Sequence, residues 1–242
     1  MQRPQHYSAR LLEKRFLNER ETYLHVQFNC TPLNPDLPQY PGHTPGQYAT
    51  FLLSEQDRRS YSFASVYSGD STVDFVVEIL ENGIGSHRMA TMEIGDTIEG
   101  IMPYGRFTYQ NDETIRHHVV IGTGSGIVPL KPILEYGLQI STEQRFTLVW
   151  GLRYESDLFW VDEFRRLEEQ YRQFRAMITI TKPTETWQGL TGRVTEHLPA
   201  LLTEVADTCV YLCGGHAMIH DARTLAGDCG IEKKRIITEQ FY

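Results

Sequence analysis

The chain has 242 residues, 40% of them hydrophobic and 22% charged, with 19 glycines and 11 prolines. That length allows one large domain or two small ones, and the composition excludes disordered, fibrous and low-complexity classes. The formal charge of −8 is shared evenly, 9 basic against 13 acidic residues up to position 110 and 14 against 18 beyond it. An acidic chain without a basic excess is not expected to bind nucleic acid or an anionic membrane.

Residues 1–110 read as strands. Stretches at 7–17, 22–30, 47–53, 60–66, 72–80 and 97–101 are rich in β-branched and aromatic residues. Between them lie turn signals such as TPLNPDLP, HTPG, SGDS and EIGD. Short strands at this spacing predict an antiparallel barrel or sandwich. One helix is predicted at 86–92, with Ser86 as its cap.

Beyond Asp112 the rhythm changes. Apolar strands predicted at 118–121, 146–151, 176–181, 209–213 and 235–238 alternate with helices at 127–139, 157–170, 191–202 and 217–228. Within 157–170, Leu158, Val161, Phe164 and Leu167 form one apolar stripe suited to packing on a sheet. Strand–helix alternation predicts right-handed crossovers and a doubly wound parallel sheet. The polar stretch 110–113 is the expected boundary, giving a domain 1–110 and a domain 111–242.

Cys30, Cys209, Cys213 and Cys229 are irregularly spaced and form neither zinc clips nor an iron–sulfur ligand run, so no metal centre is expected. No apolar run approaches the ~18 residues of a membrane span, and the N-terminus has no signal-like apolar core. The expectation is a reduced cytoplasmic protein.

The strongest local signal is HVVIGTGSGIVPLKPIL at 118–134. An apolar strand runs through Gly122-Thr123-Gly124-Ser125-Gly126 into a helix, a turn that brings N–H groups near a phosphate at a helix N-terminus. The pattern G-x-G-x-x-P departs from the standard Rossmann fingerprint. Arg59-Ser60-Tyr61-Ser62 places a cation, a flat ring and hydroxyls on one strand, with Arg59 and Tyr61 sharing a face and Ser62 on the other. Gly83-Ile84-Gly85-Ser86 precedes a helix and is a second candidate anion cradle. Two phosphate cradles in different domains, with an aromatic strand, suit two nucleotide-bearing ligands meeting at a domain interface.

With these motifs in view, the sequence resembles the ferredoxin–NADP⁺ reductase family, most closely its single-chain bacterial ferredoxin/flavodoxin reductases. The matching residues are Pro45-Gly46-Gln47-Tyr48, Arg59-Ser60-Tyr61-Ser62, Gly85-Ser86, Pro103-Tyr104-Gly105-Arg106-Phe107 and the segment 122–129. Further matches are Gly151-Leu152-Arg153, Gly192-Arg193, Cys213-Gly214-Gly215 with Met218, and Glu239-Gln240-Phe241-Tyr242. They occur in family order over nearly the whole chain.

The resemblance implies an FAD-binding antiparallel Greek-key β-barrel followed by an α/β doubly wound NADP(H)-binding domain. It implies Arg59 on the FAD pyrophosphate, Tyr61 packed against the flavin, Ser60 among the FAD-binding residues, and Ser62 hydrogen-bonded near flavin N5. Gly83, Ile84, Gly85 and Ser86 would cradle the same pyrophosphate. Gly122, Thr123, Gly124 and Gly126 would receive NADP(H), with Thr123 near the flavin and Cys213 and Gly214 beside the nicotinamide. Tyr242 would cover the flavin, and Glu239 would relay a proton or balance charge near N5.

Arg153, Lys182 and Arg193 occupy positions where NADP-dependent relatives carry cations for the 2′-phosphate, although Lys182 lacks the fork of an arginine and Glu185 lies nearby. The implied activity is hydride transfer from NADPH to FAD, followed by single-electron transfer to ferredoxin or flavodoxin, by a monomer. Arg10, Lys14, Arg15, Arg58, Arg88, Arg106 and Lys233-Lys234-Arg235 are candidates for docking such an acidic carrier. The alternatives are a reductase component of an oxygenase or other multi-subunit system, a free-flavin reductase, and a non-catalytic flavin module.

Overall fold

The computed structural model of the protein describes residues 3–37 and 39–241. Its chain forms two units. One runs to Thr108 and takes in Lys131–Ile133; the other holds Tyr109–Leu130 and the residues from Leu134 onward.

The first unit is a single antiparallel sheet of β1 (Gln5–Phe16), β2 (Tyr23–Pro32), β3 (Tyr48–Leu52), β4 (Arg58–Ser62), β5 (Thr72–Glu78) and β6 (Thr97–Tyr104), in the order β4-β3-β6-β1-β2-β5. A bridge from Phe63 to Phe75 in β5 joins the two edge strands and closes the sheet into a barrel. Alternation fills it: Leu24, Val26, Phe28 and Cys30 of β2 are buried while the residues between them are partly exposed. Its centre is aromatic, with Phe75 lying 5.1 Å from Phe51 and 5.2 Å from Phe63 between ring centroids.

Two elements differ from the sequence reading. β4 ends at Ser62 rather than 66, since Phe63 N–H bonds the Gln47 carbonyl and Ala64 N–H bonds the Asp74 carbonyl, carrying the chain across to β5. α1 (Ile84–Thr91) starts before Ser86, with Gly83 at its N-cap.

The second unit alternates β7 (His117–Thr123), α2 (Ile127–Ile140), β8 (Arg145–Leu152), α3 (Val161–Gln170), β9 (Phe174–Ile180), the short β10 (Leu190–Thr191), α4 (Val194–Leu201), β11 (Thr208–Gly214), α5 (His216–Asp228) and β12 (Ile236–Gln240). All pair in parallel, in the order β10-β9-β8-β7-β11-β12. The chain winds outward from β7 to β10 and then returns to β11 on the other side, so the order reverses between β7 and β11. Ligands of open α/β sheets bind at that switch, beyond the carboxyl ends of the strands.

The helix expected at 157–170 begins only at Val161, because Trp160 is left-handed at φ 57° and Leu158 is extended. The helix expected at 191–202 begins at Val194. Leu190 and Thr191 pair with β9 instead, and Gly192, at φ +91°, makes the turn between them. No helix of the described residues is long and apolar enough to cross a membrane.

Burial pushes the imidazoles of His43, His117 and His118 down from 6.5 to about 4. Each favours the neutral form when folded, so its share of stability is complete above about pH 6.5 and is lost as pH falls toward about 4. His118 is fully buried and stacks on Phe146 at 4.8 Å and 11°, with the Gln144 side chain as its polar neighbour. Replacing it with an apolar ring of similar shape removes the group that must charge. His118→Phe is expected to recover about 2 kcal/mol of the unfolding free energy lost between pH 7 and pH 5. Urea melts at the two pH values measure this, and an unaltered difference would exclude His118 as its source.

Candidate functional site

In the first unit the site is built around β4. Arg59 and Tyr61 project from one face of the strand, and a Cβ added to Gly85 would lie 2.4 Å from the Tyr61 hydroxyl and 2.7 Å from Arg59 Cγ. The Gly85 backbone therefore rests directly against both side chains. Ser60 Oγ is 2.9 Å from Thr50 Oγ1 on β3, and Ser62 is buried opposite Tyr48.

The turn before α1 is internally held. The Ser86 hydroxyl donates to the Gly83 carbonyl at 3.0 Å and accepts the Leu80 N–H at 3.2 Å. Ser86 is thus engaged inside its own turn and fixes the backbone of 80–86. Ile84 is 54% exposed. The segments 45–48 and 103–107 also meet, since Gln47 accepts the Thr44 N–H and donates to the Gly105 carbonyl, and the Tyr48 and Tyr104 rings stack at 5.8 Å.

In the second unit the switch point gathers the glycine loop and the end of β11. Cys213 pairs with Gly122, and Gly122 with Trp150, in one row across three strands. Gly124 adopts φ +56°. A Cβ on Gly126 would fall 2.2 Å from the Cys213 carbonyl oxygen, and one on Gly214 would fall 2.3 Å from Thr123 Oγ1. Neighbours this close leave no room for a side chain at either glycine, and α2 starts from the loop with its N-terminus at this point. Burial, reinforced by the Glu239 carboxylate, pushes the Cys213 thiol well above its ordinary range, so it stays protonated. Glu239 lies opposite Cys213 in the β11–β12 ladder, and the Phe241 N–H continues the pairing to the Gly214 carbonyl. Tyr242 lies outside the described residues.

The candidate 2′-phosphate cations also fall near strand ends. Arg153 and Lys182 follow β8 and β9 and are joined by the Lys182 N–H to the Arg153 carbonyl at 2.9 Å, both side chains being exposed. Arg193 is exposed at the N-cap of α4 beside Gly192, whose carbonyl accepts the Thr179 hydroxyl.

Two supporting residues are absent from the sequence reading. The Trp150 indole donates to the Gly124 carbonyl at 3.0 Å and pins the loop. A tryptophan inside an apolar strand must satisfy its N–H, and that need was the available signal. Glu155 Oε1 accepts the Thr184 N–H at 2.7 Å and the Thr184 hydroxyl at 2.6 Å, bracing the segment after Lys182; a lone glutamate in the sequence offers no such signal.

Both clusters fit a dinucleotide, because each presents glycine backbone where a Cβ would block approach, flanked by a cation and an aromatic in one case and a helix N-terminus in the other. Comparison with known proteins agrees. The oxidoreductase FAD-binding domain matches residues 36–109 and the oxidoreductase NAD-binding domain matches residues 120–224. Ferredoxin–NADP reductase B of Sorangium cellulosum is 29% identical over 206 residues, covering 81% of this chain and 84% of that protein. The electron transfer component of the xylene/toluene monooxygenase of Pseudomonas putida is 29% identical over 204 residues, covering 82% of this chain and 57% of that protein.

Among solved structures, a ferredoxin–NADP⁺ reductase from Neisseria gonorrhoeae with bound FAD and NADP matches with a TM-score of 0.81 at 21% identity, over 98% of this chain and 99% of that one. The chain spans 55% to 58% of the length of the dioxygenase and monooxygenase reductase components it matches. With a closed barrel matching an FAD-binding domain and a switch-point glycine loop matching an NAD-binding domain, the chain belongs to the ferredoxin–NADP⁺ reductase family of flavin- and nicotinamide-dependent oxidoreductases.

Proposed function

We propose that the chain is an FAD-dependent ferredoxin–NADP⁺ reductase that exchanges reducing equivalents between NADP(H) and a ferredoxin or flavodoxin. The observation that carries this reading is the placing of Arg153, Lys182 and Arg193 around the ends of β8 and β9, where a 2′-phosphate meets cations in NADP-dependent sheets. Length supports it as well, since the match spans 84% of the Sorangium cellulosum reductase.

When bound, the flavin supplies the conversion between a two-electron donor and one-electron carriers. The side chains do the rest. Arg59 provides a guanidinium for the pyrophosphate, Tyr61 a flat surface for the ring system, and Ser60 and Ser62 hydroxyls along its edge. The backbone of 83–86 closes the pyrophosphate cradle. Gly122, Thr123, Gly124 and Gly126 bring the α2 N-terminus to the second pyrophosphate. Cys213, held protonated by its burial, keeps the nicotinamide position neutral, and Glu239 holds charge or a proton beside it.

Carrier docking rests on fewer groups than the sequence suggests. Lys14 Nζ donates to the carbonyls of Ala90 and Met92 at the end of α1, Lys234 pairs with Glu232, and Arg235 bonds Ala206 and Thr114. Arg15 pairs with Glu13. Arg10, Arg58, Arg88, Arg106 and Lys233 are exposed and carry the proposal.

The relatives favour one second reading, a reductase component of an oxygenase, because several of those matched bear the names of reductase or electron transfer components of dioxygenases and monooxygenases. Purified protein is expected to be yellow and to bleach on anaerobic addition of NADPH. Lys182→Ala is expected to raise KM for NADPH about tenfold while leaving NADH use within about twofold, as loss of one charge-assisted contact implies. Equal losses with both coenzymes would remove Lys182 from the phosphate site. Reduction of cytochrome c that depends on added ferredoxin separates the first reading from the second.

A further inference from the structure

At the end of the parallel sheet opposite the glycine loop, β7, β8 and β9 begin in a polar cluster. Register creates it. His117 pairs with Arg145 across β7 and β8, and Thr147 pairs with Arg175 across β8 and β9. Paired residues share a face and residues two apart repeat it, so all four project from one side of the sheet. The intervening His118, Phe146 and Phe174 project from the other side and are buried. The four polar residues line a cavity of about 390 Å³ that Arg172 and Glu204 also line, with Leu201 forming part of an apolar wall.

Charge there runs against the chain as a whole. Three guanidinium groups face one carboxylate, in a unit whose overall charge is negative. Glu204 engages Arg145 at 2.5 Å. Arg175 donates to the adjacent Phe174 carbonyl, and Arg172 has no hydrogen-bond or ion-pair partner among the described residues. His117 Nε2 and Thr147 Oγ1, 2.8 Å apart, add hydrogen-bonding groups at the cavity floor. Burial keeps His117 neutral, so the excess charge belongs to the arginines. Arginine forks match phosphate oxygens, and the volume lies within the ~300–1,000 Å³ usual for small-molecule sites.

We propose that this cavity binds a phosphorylated small molecule, with the guanidinium groups of Arg172 and Arg175 on its phosphate oxygens. The site is separate from the glycine loop and stands whether or not the nicotinamide coenzyme is NADP(H). A concave pocket of this size suits a free ligand rather than the flat surface of a carrier protein.

The test is calorimetric titration of ADP and of inorganic pyrophosphate into FAD-loaded protein kept saturated with NADP⁺, so that the glycine-loop site is filled. Both probes are expected to bind, and Arg172→Ala/Arg175→Ala to weaken them about 10- to 100-fold, with flavin absorbance and NADPH-driven reduction unchanged. Glu204→Gln, which releases Arg145 from its partner, is expected to tighten binding about threefold. ADP binding more tightly than pyrophosphate assigns the apolar wall to a nucleoside, whereas equal binding restricts recognition to phosphate. Absence of binding to the saturated wild-type protein would overturn the proposal. So would undiminished affinity in the double variant, or unchanged or weaker affinity in Glu204→Gln.

Discussion

Gly126→Val is expected to abolish nicotinamide-driven reduction while the protein still retains FAD. A Cβ at this position would lie 2.2 Å from the Cys213 carbonyl oxygen, 2.6 Å from its carbon and 2.9 Å from the Gly214 nitrogen. All three are backbone atoms of β11, which the ladder to β7 and the ladder to β12 hold from both sides. No rotamer relieves the clash, so the glycine loop must lift away from the strand end. Forced overpacking costs about 1–3 kcal/mol, and an unyielding backbone obstacle puts this case at the upper end. The second unit is expected to lose about that much stability by urea denaturation. Gly227→Ala is the control: its Cβ meets nothing within 4 Å, and alanine in α5 is expected to gain about 0.5–1 kcal/mol. Wild-type rates of coenzyme oxidation in Gly126→Val would show that the close approach has no part in binding.

Gly85→Val is the corresponding change in the barrel. Here the obstacle is side chain, the Tyr61 hydroxyl at 2.4 Å and Arg59 Cγ and Cβ at 2.7 and 3.1 Å. Those atoms yield more readily than backbone, so the fold survives, but the residues proposed to hold FAD must swing away. Losing two polar contacts at about 1–3 kcal/mol together is expected to weaken FAD about 10- to 100-fold. Gel filtration of the variant is expected to separate free flavin from colourless protein, which rebinds FAD only at high concentration. Tight retention would place the cofactor elsewhere than against β4 and α1. The pair of variants thus reports on two units separately, one losing its flavin and the other its reduction by coenzyme.

What the sequence determined by itself is periodicity and backbone demand. Alternation in 22–30 makes β2 readable, because one face of a barrel strand must be apolar. Strand–helix alternation after Asp112 makes the parallel sheet readable. Gly122-Thr123-Gly124-Ser125-Gly126 is readable because glycine spacing before a helix expresses a steric need of the main chain, which local sequence encodes.

The tertiary structure alone decided everything that depends on a distant partner. The start of α4 was set by the pairing of Leu190 and Thr191 with β9. Lys14 was claimed by the carbonyls of Ala90 and Met92 at the end of α1, which are 76 and 78 residues away in the chain. Trp150 reached the glycine loop, and four polar residues from three strands came to one face, only through strand register. Register is a relation between segments far apart in the chain, and it is fixed by which side chains the completed core can bury rather than by any one segment's preference.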